Sequence, residues 1–186
     1  MSKVIDLEQR CQFRVLLHPV RQEIVRLLHL TRRPLTVSAV AKRLHLSPLT
    51  AKGHLEKLAE LGMAEAQTET DGQGHKRTLY SLGDVELRLH LGRKDEFQGE
   101  REALAAKFAD AVFRDMVNAS HAYQEEELAE ESLFFVGALH LTTRERKELA
   151  GLVADYLAAH RVPSPQTEES WEYTLMARRF REEAQG

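Results

Sequence analysis

Cysteine occurs once in these 186 residues, at Cys11, so no intrachain disulfide can form and one chain cannot supply a multi-cysteine metal site. Aromatic residues make up only 6% of the sequence against 42% hydrophobic residues in all, which points to an aliphatic core and excludes large-scale disorder. No secretory apolar region follows Met1 and no apolar stretch is long enough to span a bilayer, so a cytoplasmic location is expected. Also missing are a Gly-rich phosphate loop, a nucleophile elbow, a dinucleotide fingerprint and an HExxH motif. His90, His121, His140 and His160 fall at no recognised metal-ligand spacing, so no enzyme activity, cofactor or metal site is expected.

Net positive charge is lacking too. The chain carries 26 Lys and Arg against 29 Asp and Glu, a formal charge of -3, which by itself argues against a nucleic-acid partner. The balance changes when the chain is divided at Gly83: residues 1–83 hold 13 basic and 8 acidic side chains, or +5, and the remainder holds 13 and 21, or -8. Such an asymmetry lets the first half approach DNA while the second is repelled from it. A plain solvated acidic surface is the alternative reading of the second half.

What is present is most concentrated in LSPLTAKGHLEKLAELGM, residues 46–63. Ser47 suits an N-cap, Pro48 the first helical position and Gly62 the left-handed stop. Between them Ala51, Leu55, Leu58 and Leu61 share one face, and that face must be buried. Lys52, His54, Glu56, Lys57 and Glu60 lie off the stripe, with Ser47, Pro48, Leu49 and Thr50 at the end that a helix presents to the major groove. Upstream, Thr36 is placed to cap a short helix with Val37, Val40, Ala41 and Leu44 at helical period, and a tight turn joins the two. Further upstream, His18 and Pro19 open a helix with Val20, Ile24, Leu27 and Leu28 inward, interrupted by Arg32, Arg33 and Pro34. Downstream, residues 63–70 and 75–82 read as strands around the turn DGQG, with Asp71 and Gly72 at its start. His75, Lys76 and Arg77 stand near that tip, partly offset by Glu65, Glu69 and Asp71.

The segments LLHPVRQEIVRLL, VAKRLHLSPLTAKGHLEKLAELGM and HKRTLYSL together resemble the winged helix-turn-helix of ArsR-type bacterial transcriptional regulators, over roughly Arg10 to Leu82. The HPxR opening, the HLxxL pattern at His54, Leu55 and Leu58, and Gly62 carry the resemblance. It implies a homodimeric DNA-binding regulator, a repressor by default. Two departures qualify it. Val37, Ser38, Ala39 and Val40 stand where metal-sensing members place a cysteine pair, and Gly53 stands where many members carry a side chain that reaches a base. Base readout is then expected to rest on few side chains, with DNA shape contributing.

In the second half, Val85, Leu87, Leu89 and Leu91 alternate with polar residues as in a strand. Residues 100–122 read as a long helix with Leu104, Phe108, Ala111 and Val112 on one side and Ala106, Phe113 and Val117 toward another, suited either to its own core or to a twin subunit. After the acidic cluster Glu125, Glu126, Glu127, Glu130 and Glu131, the run LFFVGALHL reads as a buried strand. Thr142 and Glu145 suit a capping box for a helix with Leu149, Leu152, Val153 and Tyr156 on one face and His160 and Arg161 at its end. After the loop VPSPQTEE, WEYTLMARRF places Trp171, Tyr173, Leu175 and Ala177 on one strand face. Cys11, at helical spacing from Leu7 and Val15, is expected to be a core thiol rather than a redox sensor.

The expected fold is α+β: a winged helix-turn-helix domain over 1–83, then a long helix and a small α/β domain over 84–186 for dimerisation or effector binding. The expected function is a homodimeric regulator that binds an inverted repeat in double-stranded DNA. The helix Ser47–Leu61 would enter the major groove through Ser47, Pro48, Leu49, Thr50, Lys52, His54 and Lys57, and His75, Lys76 and Arg77 would hold the wing to the backbone. Two other readings stay open. One is a winged-helix module that docks a protein, suggested by Leu49, Gly53 and the acidity of the whole chain; the other is a regulator gated by a small molecule near Phe134, Phe135, Trp171 and Tyr173.

Overall fold

In the computed structural model the described residues are 3–31, 33–70, 72, 74–161, 164, 166–167 and 169–179. Arg32 of the expected helix break, Asp71 at the expected turn, Val162, Pro163, Pro165 and Glu168 of the expected loop, and Phe180 lie outside them. The elements run β1 (Lys3–Asp6), α1 (Arg10–Leu16), α2 (Pro19–Leu30), β2 (Leu35–Thr36), α3 (Val37–Arg43), α4 (Pro48–Leu61), β3 (Ala64–Thr70), β4 (Lys76–Leu82), β5 (Val85–Arg88), α5 (Gln98–Ala122), α6 (Glu125–Glu131) and α7 (Thr143–Ala159). Contacts divide the chain into two compact units, Met1–Phe113 with Trp171–Gly186, and Arg114–Ser170.

The first unit holds the core. Ile24 and Leu28 of α2, Val40 and Ala41 of α3, and Ala51, Leu55 and Leu58 of α4 are buried together, the inward stripes read from the sequence. Removing side chains of Leu55 size from water contributes about 2 kcal/mol each. A three-stranded antiparallel sheet in the order β2, β4, β3 lies beside the helices, with Leu35 opposite Tyr80 and Ala64 opposite Leu82. Tyr80 and Ala64 turn into the same core.

A second sheet was not legible in the sequence at its first strand: β1 pairs parallel with β5, Ile5 opposite Leu87. The predicted strand at Val85 is real but short, and its partner KVID is too brief to show a period. Ile5, Leu7 and, from α5, Leu104 join the core, and Phe13 meets Phe97 at a ring distance of 5.3 Å. β5 and the start of α5 thus share a compact unit with the winged helix, where the sequence suggested a division at Gly83.

Cys11 corrects an expectation. It is exposed, because α1 begins only at Arg10 and turns Phe13 and Leu16 inward instead. Leu7 is buried from the segment before the helix, so its spacing from Cys11 is not helical.

In the tail of this unit, residues 171–179 form no strand. Side chains hold the segment: Glu172 accepts from Arg26 Nε at 2.7 Å, and Thr174 Oγ1 donates to the Phe108 carbonyl at 3.4 Å. The unit 114–170 contains the end of α5, α6 and α7. Thr142 Oγ1 accepts from the Glu145 amide at 3.2 Å while Glu145 Oε2 accepts from the Thr142 amide at 2.7 Å, the capping box expected there. His160 closes α7, with its Nδ1 2.8 Å from the Tyr156 carbonyl. The strand expected at LFFVGALHL is not formed: residues 133–141 are exposed and without a ladder partner among the described residues. Strand geometry needs a second strand to pair with, and among the described residues β5 is the last in the chain. The α+β class therefore holds, with every strand of the described residues within the first 88 and the later elements helical.

Candidate nucleic-acid interface

α4 is held at both ends by its own residues. Ser47 Oγ accepts from the Thr50 amide at 3.0 Å and lies 2.7 Å from the Thr50 hydroxyl. At the other end Gly62, at φ 87°, lets its amide reach the Ala59 carbonyl and the Met63 amide reach the Leu58 carbonyl, the paired bonds of a Schellman stop. α3 starts on Thr36, whose Oγ1 accepts from the Ala39 amide at 3.1 Å, and ends with His45 at φ 52° while the Leu46 amide bonds to the Ala41 carbonyl. The turn between the two helices is thus fixed by backbone bonds.

With Ala51, Leu55 and Leu58 inward, the outward positions are Leu49, Thr50, Lys52, Gly53, Glu56, Lys57 and Glu60. Leu49 is 82% exposed. Pro48 has no amide hydrogen and the Thr50 and Ala51 amides are taken by Ser47, so the first turn turns the Leu49 amide and the positive end of the helix dipole to solvent. The lysines are accompanied: Lys52 Nζ lies 3.7 Å from Glu56 and Lys57 Nζ 2.8 Å from Glu60. These four charges sum to zero along the face, so α4 supplies shape and amide dipoles more than net charge.

His54 lies apart from this group. It is half-buried, with its ring 4.7 Å from that of His18 at the start of α2. Burial, and then the nearby His18 and Arg21, hold its imidazole below the ordinary range, favouring the neutral ring. It sits at the margin of the buried stripe, which places it between helices rather than on the outer face where the sequence reading put it. Arg21 in turn donates from Nε to the Val15 carbonyl at 2.7 Å and from Nη2 to the Arg14 carbonyl at 2.6 Å, capping the end of α1. The HPxR motif is therefore a joint between α1, α2 and α4.

The wing follows directly. β3 and β4 pair from Ala64 opposite Leu82 to Thr70 opposite Lys76. Arg77 binds its cross-strand neighbour Glu69 at 3.2 Å, while Lys76 and His75 stand at the tip end of β4. Sequence reasoning passed over Lys42 and Arg43, both exposed in the last turn of α3 just before the turn into α4. The adjacent basic pair preceding a turn was the available signal, since the first helix of such a motif crosses the phosphate backbone. Among the described residues no group of three or more His, Cys, Asp or Glu is placed to hold a metal ion, and no helix is long and apolar enough to cross a membrane.

Residues 16–66 match the family model of a helix-turn-helix domain. Among solved structures the chain is similar to a transcriptional regulator homologue from Pyrococcus horikoshii OT3, at 20% identity over 53% of this chain and 85% of that chain with a TM-score of 0.36. It is also similar to Rv0081 of M. tuberculosis, at 24% identity over 58% and 92% with a TM-score of 0.35, and to ZitR of Lactococcus lactis, at 18% over 80% and 87% with a TM-score of 0.35. A comparison with curated proteins finds no match. The assignment rests on the matched segment and on the geometry: residues 16–66 are a helix-turn-helix domain, and the β3–β4 hairpin behind α4 makes it a winged helix-turn-helix.

Proposed function

We propose that the chain is a homodimeric transcriptional regulator of the ArsR type that binds an inverted repeat in double-stranded DNA and acts by default as a repressor. The observation that carries this reading is the outer face of α4. It is exposed along its length, opens on a Ser47-capped N-terminus whose first residues face solvent, and is flanked by basic side chains at the end of α3 and at the wing, in the half of the chain that carries +5.

In this reading the first turns of α4, through Ser47, Pro48, Leu49 and Thr50, approach the base edges, where Leu49 offers an apolar contact to a thymine methyl. Lys52 reaches a base or a phosphate, and Lys57, Lys42 and Arg43 meet the backbone. Lys76, Arg77 and His75 hold the wing to phosphates. Two copies would set their α4 helices about 34 to 36 Å apart, one turn of duplex. His54 positions α4 against α2 and makes no DNA contact.

The test is a fluorescence titration of labelled duplex, selected from random sequence, with the wild type, Lys52→Ala and the pair Lys76→Ala with Arg77→Ala across a salt series. The wing pair should weaken association on every sequence, and Lys52→Ala should weaken it most on the selected one. Unchanged binding and salt response in both variants would remove this surface from consideration. A second reading, docking of a protein by the same face, is favoured by the exposure of Leu49 and the charge-neutral lysine and glutamate pairs. It requires wild-type DNA association to be negligible and insensitive to salt.

A further inference from the structure

We infer that residues 133–141 are a dimerisation strand, pairing antiparallel with the same segment of a second copy of this chain about a two-fold axis at Gly137. The inference rests on the homodimeric reading above and names the surface that makes the dimer.

Four observations support the segment and its occupant. The chain from Ser132 to Thr142 runs without turn or bend, and none of residues 133–141 makes a hydrogen bond among the described residues, so nine successive residues offer their peptide groups to a partner. Polypeptide in that state is a template for strand addition. The side chains are apolar and open to solvent: Phe134 is 70% exposed, Phe135 87% and Val136 83%, with Leu133, Leu139 and Leu141 exposed as well. No described residue of the unit 114–170 is buried, so this unit holds apolar side chains and no core of its own.

The flanking charge selects both partner and direction. α6, immediately before the segment, carries Glu125, Glu126, Glu127, Glu130 and Glu131. The first turns of α7, immediately after it, carry Arg144, Arg146 and Lys147 against Glu145 and Glu148, a net charge of +1, with Glu145 engaged in the cap and Glu148 bound to Arg144. Antiparallel self-pairing sets each acidic α6 beside the basic start of the other copy's α7. Parallel self-pairing would set five glutamates against five. The central register puts Phe135 opposite Leu139 and Leu133 opposite Leu141 on one face, and Phe134 opposite His140 and Val136 opposite Ala138 on the other. The exposed Leu149, Leu152 and Tyr156 of α7 supply apolar cover for such a ribbon, which two strands alone do not provide.

The 186-residue chain decides the matter. Sedimentation should give twice the 21.2 kDa chain mass for the wild type and one chain mass for Phe135→Lys, with the helical circular dichroism signal retained because the residue touches no core. In a Cys11→Ser background, G137C should cross-link to itself under a mild oxidant, since paired residues at the axis bring their Cα atoms to about 5 Å, within disulfide range. A monomeric wild type, a dimer that survives Phe135→Lys, or a G137C variant that stays uncross-linked would overturn the inference. Failure of the DNA reading gives a different result: a cross-linked dimer that binds no duplex. Failure of the strand alone leaves DNA association intact in a protein whose dimer ignores Phe135→Lys.

Discussion

Gly53 illustrates a helix position that packing leaves open. A Cβ added there would meet nothing within 4 Å, so the position is open on the outer face of α4, and glycine in a helix interior costs about 1 kcal/mol relative to alanine. Gly53→Ala should therefore raise stability by about 0.5–1 kcal/mol in urea denaturation. Binding of duplex should stay unchanged, because nothing reaches from this position to a base. His54 works in the opposite way, through its neighbours. Because burial and the His18 and Arg21 charges lower its proton affinity in the fold, the unfolded chain takes up the proton first as pH falls. The contribution is complete above the unfolded value of about pH 6.5 and is lost as pH drops from there through the lowered folded value. His54→Gln should flatten that loss, seen as a smaller change in urea midpoint between neutral and mildly acidic buffer. A midpoint difference equal to that of the wild type would place the titrating group elsewhere.

At the scale of elements, the stop of α4 and the close of the wing are one construction. The Gly83 amide bonds to the Met63 carbonyl at 3.1 Å, and a Cβ on Gly83 would run into the Gly62 carbonyl oxygen. Backbone leaves no room there, in contrast to the far end of a flexible side chain. Gly83→Ala should cost about 1–3 kcal/mol by overpacking, measurable as a lowered urea midpoint with the far-ultraviolet spectrum of the native state retained. Sequence patterns identified α2, α3, α4, β3, β4 and α7 because each carries its period and its caps locally. They also proposed strands at LFFVGALHL, for its apolar density, and at WEYTLMARRF, for its alternation, but no described residue of either run pairs with another strand. β1 was missed for the converse reason: four residues show no period, and the strand exists because β5 accepts it.

At the scale of the molecule, charge and its placement govern association. The whole chain at -3 would be repelled by a polyanion, yet its first 83 residues carry +5, and Glu56, Glu60 and Glu69 sit beside the very cations that would meet phosphate. Association with non-selected duplex should accordingly be weak at physiological salt and rise steeply as salt falls. Removing both wing cations, Lys76 and Arg77, should lower the log–log salt slope by up to about 2, since each phosphate contact contributes about 0.9. A slope that does not move would assign the phosphate contacts to other cations, of which Lys42 and Arg43 are the exposed pair nearest the turn into α4.

The sequence by itself determined where α4 starts and stops, which side it buries and where the wing turns back, because Ser47, Pro48, Gly62 and the stripe Ala51, Leu55 and Leu58 act within a few residues of one another. It also determined the division of charge. Only tertiary structure decided that His54 leaves the outer face for His18, that Arg21 caps α1, that Cys11 is exposed, and that the described residues of the tail runs form no strand. Each of those outcomes depends on what another element offers across space, and a residue's own neighbours in sequence carry no record of it.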